Sequence, residues 1–349
     1  MDHNILLHRL RKTFNITDSV LQWIRSYLTG RYVRVCVDGV YSDTITLDCS
    51  LPQGSQMGPK RYSDYVMPLG RLLHFLQILY HYYADDAQVS KSFNPKDKDS
   101  QFQAIHCLES GIKEVSRWMC VNRLQLNAEK MEFIVFVSKQ NLKHIQISDL
   151  KVGDDTIPTV PIVRNLGIYI DSHLTLDQHI LHLRKVCFMY ISWIRKIRHL
   201  LTFNAAKILV HALIISRLDY CNSLFTGLPK CALDKLQAIM NAAARLITRT
   251  PRRENITPSL IRLHWLPVAQ RCQFKTLTLV FKSLHGLAPP YLEDIVTPYT
   301  PPRVLRSANG KYLQVIKPKR LYGQRSFKHM GAVLWNDLPG HIKNADSIA

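Results

Sequence analysis

A pair of adjacent carboxylates at a tight turn most constrains how this chain can fold. Residues 82–87 read YYADDA, and they follow an apolar approach over 75–83 and precede a short β-prone run over 87–90. This pattern predicts two strands joined by a turn with Ala84 and Asp85 at its tip. Adjacent acids repel, so Asp85 and Asp86 need a compensating cation or a positive field. Paired Mg²⁺ ions held by such oxygens serve phosphoryl transfer, whereas a solvated turn is the alternative interpretation.

The positive charge of the chain lies mostly behind this turn. Lys and Arg number 46 in the 349 residues, against 26 Asp and Glu. Residues 151–349 hold 28 of the basic residues and 11 of the acidic ones, whereas residues 1–150 hold 18 and 15. Such a surface indicates a polyanionic partner, with nucleic acid the leading candidate and anionic lipid the second.

Cysteine usage and hydropathy indicate an intracellular protein. The eight cysteines are scattered without a CxxC pair or zinc-type spacing, as is typical of reduced thiols. The first residues lack the pattern of a signal peptide. The longest apolar stretch, 69–80, is interrupted by Arg71, His74 and Gln77 and is too short to span a bilayer. We expect a protein of the nucleus or cytoplasm that is neither secreted nor bound to a membrane.

The first 150 residues mix helical and strand patterns. Two short helices are predicted at 5–14 and from 17 or 18 to 29, and a hairpin around Asp38-Gly39 joins strands at 32–37 and 44–47. A strand is predicted at 131–137. Before it, a helix capped by Asp99 or Ser100 carries an apolar face with three- and four-residue spacing: Phe102, Ile105, Leu108, Ile112 and Val115.

The rest of the chain turns helical after a set of short strands over 145–170. Apolar stripes predict a helix over 180–197, one beginning at Asn204 with Ile208, Ala212, Ile215 and Leu218 buried, and one over 233–247. Three amphipathic helices with short links imply a small bundle. A further helix is predicted over 268–284, and from 291 onward the composition is loop-rich and basic.

Four boxes in a fixed order carry a resemblance to a known family. The YADD box is preceded by LPQGSQMGP at 51–59 and followed by LQLNAEK at 124–130 and RNLGI at 164–168. Together they resemble the boxes of reverse transcriptases of non-LTR (LINE-type) retrotransposons, the jockey-like group especially. The resemblance extends from residue 2 to the LWNDLP segment at 334–339.

The resemblance implies an α+β fold. A partial polymerase palm, an antiparallel sheet with helices, would occupy residues 1–150, and connecting strands 151–175. An all-α, thumb-like bundle would follow at 176–255, and a loop-rich basic C-terminal region at 256–349.

The resemblance also implies a reaction, in which a primer 3′-hydroxyl attacks the α-phosphate of a deoxynucleotide opposite an RNA template with the help of Mg²⁺. Asp85 would be the main metal ligand, with Asp86 beside it. Lys130 would lie near the triphosphate, although the sequence around it, without the resemblance, also fits a surface lysine. The residues of the template and nucleotide pocket would be Gln53, Gly54 and Tyr83.

Basic residues near the ends of two predicted helices are candidates for binding an RNA template and RNA–DNA or DNA duplex, with a solvated helix end as the alternative. They are Arg195, Lys196, Arg198, Arg245, Arg249, Arg252 and Arg253.

The first box of the resembled family, with a third metal-binding aspartate, would precede the segment at 2–6. We therefore expect an incomplete ligand set, weakened Mg²⁺ binding and a chain inactive as a polymerase. Two alternatives are open: a non-catalytic RNA- or DNA-binding relic of a retrotransposon, and an inert fragment.

Overall fold

The computed structural model describes residues 1–51, 54–300, 311–345 and 347. The chain forms two compact units, Met1–Val163 and Arg164–Ala349, called here the first and second unit. Helices and short antiparallel strand pairs make up the structure, which confirms the predicted mixture of α and β elements.

The described residues of the first unit form four α-helices and eight short strands, and the boundary between the units falls within a ninth strand, β9. In chain order they are α1 (His3–Phe14), α2 (Asp18–Leu28), β1 (Tyr32–Val33), β2 (Cys36–Val37), β3 (Val40–Tyr41), β4 (Ile45–Thr46), α3 (Gly58–Phe75), β5 (Leu79–Tyr83), β6 (Asp86–Ser90), α4 (Lys98–Val121), β7 (Asp149–Val152), β8 (Asp155–Pro158) and β9 (Ile162–Asn165).

Two apolar clusters hold the first unit together. One packs α1 and α2 on the first half of α3, with Leu6, Leu10 and Tyr65 fully buried. The other packs the second half of α3 on α4 and includes Leu73 and Ile112. Helix α3 belongs to both clusters, and its packing therefore holds in place the point where β5 begins.

The predicted hairpin at Asp38-Gly39 is confirmed. Val37 pairs with Val40, and both turn residues have positive φ, 50° and 82°, as a two-residue turn that follows the twist of its strands requires. The predicted strand over 32–37 is split, however, since β1 pairs with β4 and β2 with β3.

Three predictions for α4 and its surroundings are wrong. Residues 131–137 form no strand but an isolated bridge between Phe133 and Thr159, because no described strand offers them a paired edge. Phe102 is 71% exposed, and the amide of the preceding Gln101 is buried instead, donating hydrogen bonds to Pro95 O and His144 O. Asp97, not Asp99 or Ser100, caps the helix.

The second unit is largely helical. Its elements are β10 (Ile168–Asp171), α5 (Asp177–Ile197), α6 (Phe203–Val210), α7 (Ser216–Asp219), α8 (Lys230–Thr248), α9 (Thr257–Leu263), α10 (Val268–Leu284), α11 (Pro290–Glu293), α12 (Leu321–Gln324), α13 (Phe327–Asp337) and α14 (Gly340–Lys343).

The core of the second unit lies between α5 and α8, and it continues through α9 and the start of α10. The predicted stripe of α8 is confirmed, with Leu236, Ile239 and Ile247 fully buried. On the helix predicted to begin at Asn204, Ile208 is 68% exposed and Ala212 is exposed too, so these positions were wrong.

The physical reason for that error is a π-helical segment, His211–Ile215, between α6 and α7. A π turn adds one residue and shifts the helical register. Val210 and Ile214 are therefore buried instead of Ile208 and Ala212, whereas the predicted burial of Ile215 and Leu218 is confirmed. The side chain of Thr202, not Asn204, caps α6.

The C-terminal part is more ordered than its composition predicted. Helix α13 packs on α10 around Trp335, which is 1% exposed and donates its indole N–H to Lys311 O. The prediction of a loop-rich tail is therefore wrong for residues 327–337.

Candidate active site and nucleic-acid interface

The adjacent acids lie at the tip of the hairpin formed by β5 and β6. The pairing runs from Leu79 opposite Ser90 to Tyr83 opposite Asp86, which leaves Ala84 and Asp85 as the turn and confirms the predicted tip. Ala84 has a φ of 54°, a left-handed conformation that is costly for any residue with a Cβ.

The two faces of this hairpin differ. Tyr80 and Tyr82 are half-buried against the cluster of α3 and α4, and burial raises the pKa of Tyr82 above its ordinary value. Tyr83 is exposed on the other face, and Asp86 shares that face because it is its direct cross-strand partner. Asp85 is also exposed. The burial of Tyr62 and the negative charge of Asp85 both raise the pKa of Tyr62.

The carboxylates have the chemistry that Mg²⁺ prefers, but their number is small. Across the described ranges, no three His, Cys, Asp or Glu side chains come together in an arrangement that could hold a metal ion. Asp85 and Asp86 alone do not make the ligand set of a two-metal centre, which clamps attacking and leaving oxygens through several protein ligands.

The other predicted residues of this site are placed less tightly. Gln53 lies outside the described residues. Gly54 has a φ of 81°, and Ser55 after it accepts a hydrogen bond from Tyr27 of α2 and another from Gly58 N. Lys130 is exposed at the end of a 3₁₀ turn, Ala128–Lys130, and the described residues give it no hydrogen bond or ion pair with either acid.

In the second unit, a groove between α5 and α8 gathers most of the predicted nucleic-acid-binding residues. Its volume is about 870 Å³, and Asp and Glu are absent from the described residues that line it. We call it the arginine groove after its five arginines, Arg195, Arg198, Arg245, Arg249 and Arg252. Lys196 and Arg253 are exposed but are not among its lining residues.

Two of these arginines are structural. Arg198 is 9% exposed and donates to the carbonyl oxygens of Leu201, Leu246 and Ile247 at 2.7–2.8 Å, so its guanidinium closes the end of α8. Burial and the neighbouring Arg249 lower its pKa. Arg245 donates to Pro251 O and Glu254 O, which shapes the turn that carries Arg252.

The other side chains of the groove are more open. Neither Arg195 nor Arg252 makes a side-chain hydrogen bond or ion pair with the described residues, and both are exposed. Phe188 and Asn241 also line the groove, and the sequence analysis did not identify them. A signal existed for Phe188, because it precedes Arg195 by seven residues and so shares its face of α5.

The hairpin with its two exposed acids lies in a region that matches a known protein family. The reverse transcriptase (RNA-dependent DNA polymerase) family matches residues 2–170. Residues 2–170 belong to the reverse-transcriptase family. This region includes the acids at 85 and 86, the box at 51–59 and the box at 164–168.

The relatives of this chain confirm its resemblance to non-LTR elements. The RNA-directed DNA polymerase from mobile element jockey of Drosophila funebris is 22% identical over 258 residues, covering 71% of this chain and 27% of that protein. The corresponding jockey protein of Drosophila melanogaster is 23% identical over 263 residues, with the same coverage. The probable RNA-directed DNA polymerase from transposon X-element of that species is 23% identical over 236 residues, 64% of this chain and 24% of that protein.

The chain spans about a quarter of the length of these curated relatives. No solved structure is significantly similar to it. Among the described residues, no helix combines the length and hydropathy needed to span a lipid bilayer.

Proposed function

We propose that this chain is an RNA-directed DNA polymerase by descent that binds nucleic acid but does not add nucleotides by itself. The observation that supports binding is the arginine groove, with five cations and no acid among the described residues that line it. The observation against catalysis is that no third metal-ligating side chain among the described residues lies with Asp85 and Asp86. Phosphate contacts need only positive charge and suitable geometry, so they persist where a metal site is incomplete.

In this proposal the first unit is a partial palm and the helices from α5 to α8 are a thumb-like bundle. Asp85 and Asp86 offer the oxygen ligands for Mg²⁺, and two carboxylates hold it weakly. The roles proposed for Tyr83, Gln53 and Gly54 are binding of the template and nucleotide, and the role proposed for Lys130 is binding of the triphosphate.

The partners are an RNA template and RNA–DNA or DNA duplex. They are bound by the positive surface of the second unit, which includes the arginine groove and the exposed Lys196 and Arg253. A positive field of this kind draws in phosphates from a distance and weakens steeply with added salt.

The test combines primer extension with binding. The chain and an Asp85→Asn, Asp86→Asn double variant are each given an RNA template, a DNA primer, deoxynucleotides and Mg²⁺. We expect no incorporation by either protein, and we expect both to bind the primer–template with an affinity that falls as salt rises. Circular dichroism of both proteins controls for folding.

Incorporation by the parent but not by the double variant would show an active polymerase and overturn the inactive assignment. Absence of salt-sensitive binding in a folded parent would overturn the binding assignment and leave an inert segment.

A further inference from the structure

One part of the arginine groove is lined by an aromatic and apolar surface, called here the aromatic wall. Binding of phosphate groups alone does not require such a surface. Phe188 is 39% exposed and lines the groove on the same face of α5 as Arg195. Ala238, Ala242 and Leu246 of α8 add apolar surface to the same cavity. An anionic backbone gains little from such a wall, whereas the flat face of a nucleobase gains both burial and stacking.

The form of nucleic acid follows from what each form exposes. A duplex keeps its bases stacked inside and presents phosphates, sugars and groove edges to a protein. Unpaired nucleotides expose their π-faces, and proteins that bind single strands place aromatic side chains beside a positive track for the backbone. The groove volume of about 870 Å³ is within the range of pockets that bind small ligands, so it has room for single nucleotides.

The cations around this wall are of two kinds. Arg198 and Arg245 are committed to backbone carbonyls and set the shape of the groove. Arg195 and Arg252 are exposed, and their side chains make no hydrogen bond or ion pair with the described residues. Open guanidinium groups and an exposed ring in one groove provide the two kinds of contact, to phosphate and to base, that an unpaired strand offers.

We propose that the arginine groove binds an unpaired segment of nucleic acid, with phosphates on Arg195 and Arg252 and a base stacked on Phe188. This proposal rests on the proposed function and specifies which form of nucleic acid its binding surface accepts. RNA and DNA share the required chemistry, and the experiment separates them.

The experiment measures fluorescence anisotropy of the full chain with labelled strands of about 12 nucleotides, a length within the range that single-strand binding folds cover. The probes are a single-stranded RNA, a single-stranded DNA of the same sequence and the RNA–DNA duplex. We expect both single strands to bind more tightly than the duplex, and the ratio of their affinities shows whether the groove prefers one sugar.

Phe188→Ala tests the stacking surface, with Trp193→Ala as its matched control. Trp193 is a 54% exposed aromatic residue on the same helix, and it is not among the lining residues of the groove. We expect Phe188→Ala to weaken single-strand binding roughly 5- to 100-fold, the range for loss of one stacked base. Trp193→Ala should change it less than about twofold.

Arg195→Gln tests the phosphate contact, with Lys185→Gln as its control. Lys185 is an exposed cation of the same helix outside the groove lining. We expect Arg195→Gln to reduce the slope of log affinity against log salt by about 0.7, the value for one contact to a single strand. Lys185→Gln should leave the slope close to that of the parent.

Tighter binding of the duplex, or equal effects of Phe188→Ala and Trp193→Ala, would overturn this proposal while leaving nucleic-acid binding intact. Absence of salt-sensitive binding to all three probes would overturn the proposed function as well.

Discussion

The arginines of this protein fall into those that form internal hydrogen bonds and those that present a charge at the surface. Arg198 is buried with three backbone carbonyls as acceptors, and Arg9 donates to Tyr65 O and to the Asn122 side chain beneath α1. Both count toward the formal net charge of +20, yet neither presents a guanidinium at an open surface. Arg195, Arg249 and Arg252 are the exposed cations of the groove, and of these Arg249 donates to the carbonyl oxygen of Arg198.

Arg198→Gln should therefore destabilise the second unit. Loss of a buried cation with three hydrogen bonds leaves carbonyl oxygens unpaired, and we expect the free energy of unfolding to fall by about 3 kcal/mol. Urea unfolding followed by tryptophan fluorescence measures it. Lys196→Gln, two residues away and exposed, should stay within about 0.5 kcal/mol of the parent. A stable Arg198→Gln protein with impaired RNA binding would instead assign Arg198 to the binding surface.

At the scale of elements, the hairpin with the adjacent acids is defined by its turn. Local pairing from Leu79 to Tyr83 fixes which two residues form the tip. The first of them, Ala84, adopts a positive φ that glycine tolerates better. The position of Asp85 thus depends on a turn held in place by the strands on either side.

Ala84→Gly should relieve this strain. The left-handed conformation costs a residue with a Cβ roughly 1–2 kcal/mol, which the greater freedom of glycine in the unfolded chain partly offsets. We expect the free energy of unfolding of the first unit to rise by about 0.5 kcal/mol, measured by urea unfolding. Ala87→Gly in β6 is the control and should lower it. Equal losses from the two substitutions would contradict the positive φ of Ala84.

At the scale of the whole molecule, the two units differ in charge and in what holds them together. The second unit has one large core, and His179 is buried beside it at 3% exposure. Its Nδ1 accepts from Tyr169 N, its ring stacks near Phe225, and burial together with the charge of His182 lowers its pKa to about 4. The neutral imidazole is therefore the form that the folded second unit accommodates.

The stability of the second unit should consequently fall in mild acid. An unfolded histidine has a pKa of about 6.5, so the unfolded chain takes up the proton first as pH falls. The lowered pKa of His179 contributes about 3 kcal/mol to the free energy of unfolding. This contribution is fully present above pH 6.5 and is lost as the pH falls from 6.5 to 4.

The measurement compares the parent with His179→Asn by urea unfolding over this pH range. The parent should be more stable at pH 7.5, and the difference should shrink as the pH approaches 4. A difference that stays constant would show that His179 does not titrate in this way. Hydrogen bonds from Thr175, Leu176 and His173 outweigh burial and lower the pKa of Asp171. Asp171 is present in both proteins, so its effect on stability cancels in the comparison.

Sequence signals succeeded where the structure is determined locally. The hairpin tip at Ala84 and Asp85, the Asp38-Gly39 turn and the bounds of α10 follow from turn residues, helix start and stop signals and apolar periodicity. The family resemblance likewise rests on short boxes in order. Each of these depends on residues close together in the chain.

Predictions failed where partners distant in sequence decide. Residues 131–137 have the composition of a strand but no described edge to pair with, and the π segment at His211–Ile215 shifts which residues of α6 and of the segment itself are buried. The amino-acid sequence by itself determined the hairpin, the buried stripe of α8, the bounds of α10 and the basic second half. Only the packing of α5 on α8 decided that Arg198 points inward and that Phe188 joins Arg195 and Arg252 in one groove, because burial and hydrogen-bond partners depend on contacts between elements.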